Sequence, residues 1–298
     1  MNSQDEKSTQ ELQELHAHIS QRMIAVTSEK QRHQQLTEAL AEAQRIYKSR
    51  EAEYSAIEHT FFEHTRTVRA TDDDLSTIRE AFKILKYAIT RLIMSLNKKA
   101  DLDRARAKFS ARWPHITFEP ALVNLLAEKM VHEHLIHSVF AHIYPGLKIN
   151  AACRTLSHWL QENQSTLCLR QQVAAIIAKS PKDGEIQKEA EIEKEKIKTA
   201  IYQDLADVYH PYLNEDKGCH QKLSDIVDRA VKLVVAIRGQ DVDISTVSIE
   251  EGKQVLDEET MVEAKGRTSG VVQFCICPTF MGGDKEHGFL EKAKVVVS

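Results

Sequence analysis

Glycine is absent from the first 145 residues of this 298-residue chain, and proline from the first 113. Without either backbone breaker that reach is biased toward uninterrupted helix and against a turn-rich β fold. Aromatic residues make up only 6% of the chain, which also speaks against a β-sandwich. The five cysteines, Cys153, Cys168, Cys219, Cys275 and Cys277, are odd in number and follow no disulfide-framework spacing, which points to a reducing compartment. No apolar run approaches the roughly 20 residues that span a bilayer. The longest candidate, Leu233 to Ile237, reads as a core-helix segment. The opening residues Met1 to Lys7 are polar and acidic and lack the apolar region of a signal peptide. The expectation is an intracellular protein, cytoplasmic or nuclear. With a net charge of -4, nucleic acid and anionic membrane gain no electrostatic argument.

Catalytic signatures are missing as well. Gly282-Gly283 lacks the following Lys-Ser or Lys-Thr and the strand-to-helix context of a phosphate loop. No nucleophile elbow, kinase set or dinucleotide fingerprint occurs. Neither a catalytic residue nor a cofactor is expected, and whether the chain is an enzyme stays open.

What is present is heptad spacing. With Leu12 at position a, the a series runs Leu12, Ile19, Val26, His33, Leu40, Tyr47, Tyr54, Phe61, and the d series runs Leu15, Arg22, Glu29, Leu36, Ala43, Arg50, Ile57, His64. Apolar a and d residues bury a seam between helices. Here the a seam is nearly continuous, whereas Arg22, Glu29 and His33 weaken the middle. The reading is a disordered tail over residues 1–9 and an imperfect coiled-coil helix over 10–65, roughly 80 Å long at 1.5 Å per residue.

Thr71-Asp72-Asp73-Asp74 reads as a cap, with Thr71 or Asp72 closing the helix start and the other acids in its first turn. Behind it, Leu75, Ile78, Phe82, Leu85, Ile89, Leu92 and Leu96 alternate by three and four without a miss. So narrow a stripe requires another helix along it, either the first helix folded back or a second copy. The expected interaction seam therefore comprises Leu12, Leu15, Ile19, Val26, Leu36 and Leu40 with the seven residues from Leu75 to Leu96. Residues 71–112 close with a basic run, Lys98, Lys99, Arg104, Arg106, Lys108 and Arg112, read as a solvated face. The main domain boundary is expected between Trp113 and Pro120.

Residues 120–239 read as a helical domain of five helices. Their inward residues include Leu122, Leu126, Met130, Val139 and Phe140, then Leu156 and Trp159, then Val173, Ile176 and Ile177. Ile197, Ile201, Leu205 and Val208 follow, and Leu223 to Ile237 complete the set, with Gly239 at the C′ position. Beyond Gly239 the period changes to two. Residues 240–298 predict a small antiparallel sheet or hairpin packed on the helices, with strands at 242–249, 270–277 and 290–297 and a loop at 281–288. The fold class is thus mainly α: a long N-terminal coiled-coil helix, a multi-helix body and a small C-terminal β region.

Two clusters invite chemistry. His132, His134 and His137 suggest zinc, but His-Glu-x-x-His fails because Ile136 stands where the second histidine belongs. His134 and His137, three apart, are the pair able to share a ligand face. Cys275 and Cys277 fall on one face of a strand, at a spacing unlike that of zinc ribbons or thioredoxins, and read as buried structural thiols.

The chain resembles a loosely defined group of uncharacterised fungal proteins. The resemblance rests on Asp72 to Ile78, the helix Leu223 to Ile237, Asp257-Glu258-Glu259-Thr260-Met261, and the closing Val271 to Pro278 and Lys292 to Val297. It implies an N-terminal coiled coil, a helical body, a short β tail and a fungal origin, and supplies no functional residues. The reading is a non-enzymatic interaction or scaffold protein, self-associating as a homo-oligomer or binding a protein partner through the coiled coil. The alternative is a small-ligand or metal-binding helical protein using the cluster from His132 to His137.

Overall fold

A computed structural model describes the backbone of residues 2–68, 70–96, 100–162, 166–209, 213, 217–283 and 288–298. Within these, side chains are described except at 2–14, 58–68, 157, 158, 160–162, 166–168 and 217. The chain divides into two compact units, residues 1–66 and 67–298. The division therefore lies ahead of the Asp-rich cap and not between Trp113 and Pro120. Trp113 and Ile116 are buried in the core of the second unit, so the prolines there turn the chain inside one body.

Helix α1 spans Asn2–Val68. The nine residues expected as a tail belong to it from Asn2 onward, since they are polar helix formers with no breaker among them. Side chains three and four apart support it locally: Arg45 pairs with Glu42 at 3.0 Å, and Gln34 Nε2 donates to Glu38 at 3.2 Å. Every side chain from residue 15 to 57 is exposed.

Helix α2 (Leu75–Leu96) starts at Asp74, not at Thr71 or Asp72. Asp74 Oδ1 accepts from the Thr77 backbone N–H at 2.6 Å, and that bond holds its carboxyl below the usual range. All three acids precede the helix. Its stripe Ile78, Phe82, Leu85, Ile89, Leu92 and Leu96 is buried, together with Ile93. The covering surface belongs to α4 (Val123–Leu135) and above all to α8 (Lys217–Arg238), which brings Leu223, Ile226, Val227, Ala230, Leu233, Val234 and Ile237 to the same core. At roughly 1.5–3 kcal/mol per fully buried large side chain, this interface is a principal source of the body's stability.

Helices α3 (Leu102–Arg112), α5 (Asn150–Glu162), α6 (Thr166–Lys179) and α7 (Glu185–Tyr209) complete the helical part. Ile197, Ile201, Leu205 and Val208 of α7 are buried as expected. Helix α5 departs from expectation: Leu156, Trp159 and, on α6, Ile176 are exposed, and among the described side chains of α5 Cys153 is buried. A helical stripe states which residues share a face, and here that face lies at the edge of the body. The first helix of this region does not run to Ile143 as one α-helix. It ends at Leu135 and continues as a π turn, Ile136–Phe140.

Gly146 and Gly239 are among the glycines dictated by close approach. At Gly146, φ is +75°, and a Cβ would stand 2.6 Å from the Glu189 carbonyl oxygen. At Gly239 a Cβ would meet the Ala70 Cβ at 2.8 Å, so crowding explains this residue and not a left-handed cap.

Six strands follow: β1 (Ser245–Val247), β2 (Met261–Glu263), β3 (Val272–Cys277), β4 (Thr279–Gly282), β5 (Phe289–Glu291) and β6 (Ala293–Val297). β3 pairs antiparallel with β6, and β4 with β5, in nearly constant register from Val272↔Val297 to Gly282↔Phe289. The expected hairpin is therefore present but bent. Pro278, without an N–H, separates β3 from β4, and Lys292 separates β5 from β6, so each half joins a different sheet. β1 adds antiparallel to β4, and β2 adds parallel to β6, giving orders β1-β4-β5 and β2-β6-β3. The second sheet is thus mixed and not wholly antiparallel. Phe82 fastens the sheet β1-β4-β5 to the helices: its ring centroid lies 4.3 Å from that of Phe280 and 5.8 Å from that of Phe289. Residues 284–287 of the expected loop lie outside the described residues. Among the described residues, no helix is long and apolar enough to cross a membrane.

Candidate functional site

The three histidines are placed apart by their helix. His132 faces the β region and is buried. Burial, and then the nearby Lys86 and Lys294 ammonium groups, push its imidazole down to about 3. His134, two residues on, faces α7, where its Nε2 lies 2.7 Å from Asp204 Oδ2. His137 sits in the π turn, exposed, with Nδ1 2.8 Å from the Glu133 carbonyl oxygen. Residues two apart on a helix point to nearly opposite sides, and the remaining pair is committed to separate partners. Among the described residues no group of three His, Cys, Asp or Glu side chains is placed to hold a metal ion.

The strand cysteines are not poised thiolates. A register shift separates Cys275 from Cys277 on β3. Burial pushes the Cys275 thiol up to about 12, with the neighbouring Cys277 adding to it, and pushes Cys277 up to about 11. Nucleophilic and metal-binding cysteines require the opposite shift. Cys168 lies outside the residues whose side chains are described.

Part of the basic run is engaged by neighbouring helices. Lys108 Nζ donates to Asp204 and Asp207 of α7 at 2.7 Å each. Arg112 donates to Asp204 at 2.8 Å and to Glu133 of α4 at 3.1–3.2 Å. Arg104 donates to the Asp207 carbonyl, and Arg106 lies over the Phe118 ring. Burial opposes the charge on Asp204, but its bonds to Lys108 and His134 outweigh that and hold the carboxyl below its usual range. Lys108 and Arg112 therefore clamp α3 to α7 and α4, while Arg104 and Arg106 are exposed, as the composition suggests; Lys98 and Lys99 lie outside the described residues.

A second polar layer was not legible in the sequence. Lys129 of α4 donates to Glu251 at 2.7 Å and to the Cys275 carbonyl at 2.9 Å. Lys294 of β6 reaches Glu128 at 2.6 Å, and Lys86 of α2 reaches Glu291 at 2.7 Å. These pairs join the helices to both sheets, and Glu128 and Lys129 are themselves buried. A buried pair of this kind fixes register more than it adds stability, because desolvation offsets most of the attraction. The one signal available was Lys129 and His132 lying within the apolar face of Leu126, Met130 and Leu135.

The expected interaction seam splits in two. Ile78, Phe82, Leu85, Ile89, Leu92 and Leu96 are buried against the body's own helices and Leu75 is half-buried, so this half is closed to a partner. The α1 half is open. Leu15 is 58% exposed, Ile19 48%, Val26 55%, Leu36 63% and Leu40 60%, and Tyr47, Tyr54 and Ile57 continue the series at 64–69%. Leu12, Phe61 and His64 lie outside the residues whose side chains are described. On a straight helix a heptad seam drifts by about 20° per seven residues, or roughly 140° from Leu12 to Phe61. Only supercoiling around a second helix keeps such a seam on one side.

No family model matches the chain, and neither a curated protein nor a solved structure matches it.

Proposed function

We propose that this chain is a non-enzymatic interaction protein that self-associates through α1. The carrying observation is the run of wetted apolar side chains at heptad positions from Leu15 to Ile57. Burying apolar area is worth about 25 cal/mol per Å², so a two-stranded seam of this length outweighs the charged positions Arg22, Glu29 and Arg50. A second copy supplies the same seam in the same register, with no further requirement on the partner. The body supports the reading by burying its own strict stripe, which leaves α1 as the surface that needs covering.

Light scattering on the full chain at micromolar concentration, beside a Val26→Glu/Leu40→Glu variant, tests this. The expected outcome is an oligomeric parent and a monomeric variant with an unchanged body. A parent that is monomeric throughout ends the self-association reading.

A further inference from the structure

The body holds a second feature, independent of α1. Where the π turn, α5, α6 and the end of α8 meet, a cavity of about 160 Å³ is lined by His142, Asn150, Arg154, Arg170, Arg238 and Asp243. Three guanidinium groups converge there against one lining carboxylate. We propose that this cavity binds a small tetrahedral oxyanion, a phosphate group either free or carried on a small molecule.

The arginines are held before any ligand arrives. Arg170 is 8% exposed, and its two Nη atoms donate to the Ile237 carbonyl at 3.1 Å and the Gln240 carbonyl at 2.8 Å. Arg238 donates through Nη2 to the Phe140 carbonyl at 2.6 Å and through Nε to the His142 carbonyl at 3.3 Å. Those carbonyls belong to the ends of α8 and the π turn, so the groups that close these elements also aim the guanidinium planes. Arg238 Nη1 has no hydrogen-bond partner among the described residues. Its nearest carboxylate oxygen, Asp243 Oδ1, is 4.0 Å away, and the same oxygen is 3.6 Å from Arg170 Nη1. Asp243 therefore faces both arginines without hydrogen-bonding to either, and is itself 58% exposed. Arg154 closes the mouth from α5, with Nη2 3.4 Å from His142 Nδ1. Burial, then Arg154, lowers the His142 pKa, so at neutral pH the imidazole is an uncharged acceptor that steers Arg154.

The acids facing the group are few. Asp241 is bound to the Gln171 amide at 2.7 Å, Glu193 acts on His142 from α7, and Asp243 is the one that lines the cavity. The N–H groups that the backbone carbonyls leave over, those of Arg238 Nη1 first, can donate to phosphate oxygens, and pre-aimed donors lose little entropy on binding. The volume is below the roughly 300–1,000 Å³ of drug-sized pockets, which limits the occupant to a single anionic group with the rest of any ligand outside. A π turn at the rim is the local distortion that frequently marks a functional position.

The test follows thermal melting of the full chain against inorganic phosphate, with sodium chloride at matched ionic strength as control and glycerol 2-phosphate as a monoester. Phosphate is expected to raise the melting temperature saturably, beyond the chloride effect. Arg154→Gln should weaken the midpoint about three- to fivefold, the value of one partly exposed charge contact, and Asp243→Asn should tighten it by a similar factor. Both side chains are exposed and neither holds a helix end, so either variant alone suffices if the other melts poorly. A tighter midpoint for the monoester assigns a carried phosphate, and an equal or weaker one assigns the free ion. Phosphate behaving as chloride does, or a midpoint indifferent to both substitutions, overturns the proposal.

Discussion

Helices α1 and α2 carry the same three-and-four spacing of apolar residues and end in opposite surroundings. In α2 the stripe is unbroken and vanishes into α8 and α4; in α1 it is interrupted by charge and faces water. The difference teaches what the periodicity encodes. It specifies that a helix must have a neighbour, while the distribution of charge decides whether that neighbour is permanent. A core stripe admits no unpaired charge, because an unpaired buried ion costs several kcal/mol. The α1 seam, with Arg22, Glu29 and Arg50 at d positions, suits an interface that forms between chains and tolerates water at its rim.

The comparison breaks most visibly under matched truncations. Phe82→Ala removes a buried ring from between α2 and both Phe280 and Phe289, and is expected to cost about 3–5 kcal/mol by denaturant unfolding. Leu40→Ala, in the other seam, should leave the body's unfolding transition in place and alter only the mass in solution. An equal loss at both positions would mean that α1 is part of the body's fold.

A smaller effect sharpens the same contrast through pH. The fold keeps His132 neutral down to about 3. The unfolded chain binds a proton there from about 6.5, so stability is full above that pH and falls as the pH drops toward 3, by about 1.4 kcal/mol per unit at most. Asp204 and Glu251, both held below their usual range, contribute stability that is lost as the pH falls below about 4.5. Between pH 6.5 and 4.5 the slope therefore belongs mainly to His132, with a part from His142. His132→Leu should flatten most of it in urea titrations, and an unchanged slope would remove the histidine from the account.

What the sequence made legible was local. The stripes of α2 and α8, the exposed seam of α1 and the pairing of 272–277 with 293–297 all follow from spacing, because period and breakers act within one element. What escaped was long-range. Lys108 and Asp204 are 96 residues apart, and nothing near either predicts the other. The parallel strand Met261–Glu263 is too short to show a period. The histidine cluster was misleading for a simple geometric reason, since neighbours in sequence on a helix point to different sides. Arg170 and Arg238 read as ordinary helical cations until the fold set them around one cavity.

The central claim is that α1 is covered by another copy and the body by itself. Amide hydrogen exchange of the full chain across a hundredfold range of concentration tests it most directly. Protection along residues 15–57 should rise with concentration while protection in α2, α4 and α8 stays constant. Protection along α1 that does not change with concentration, whether high or absent, would contradict it.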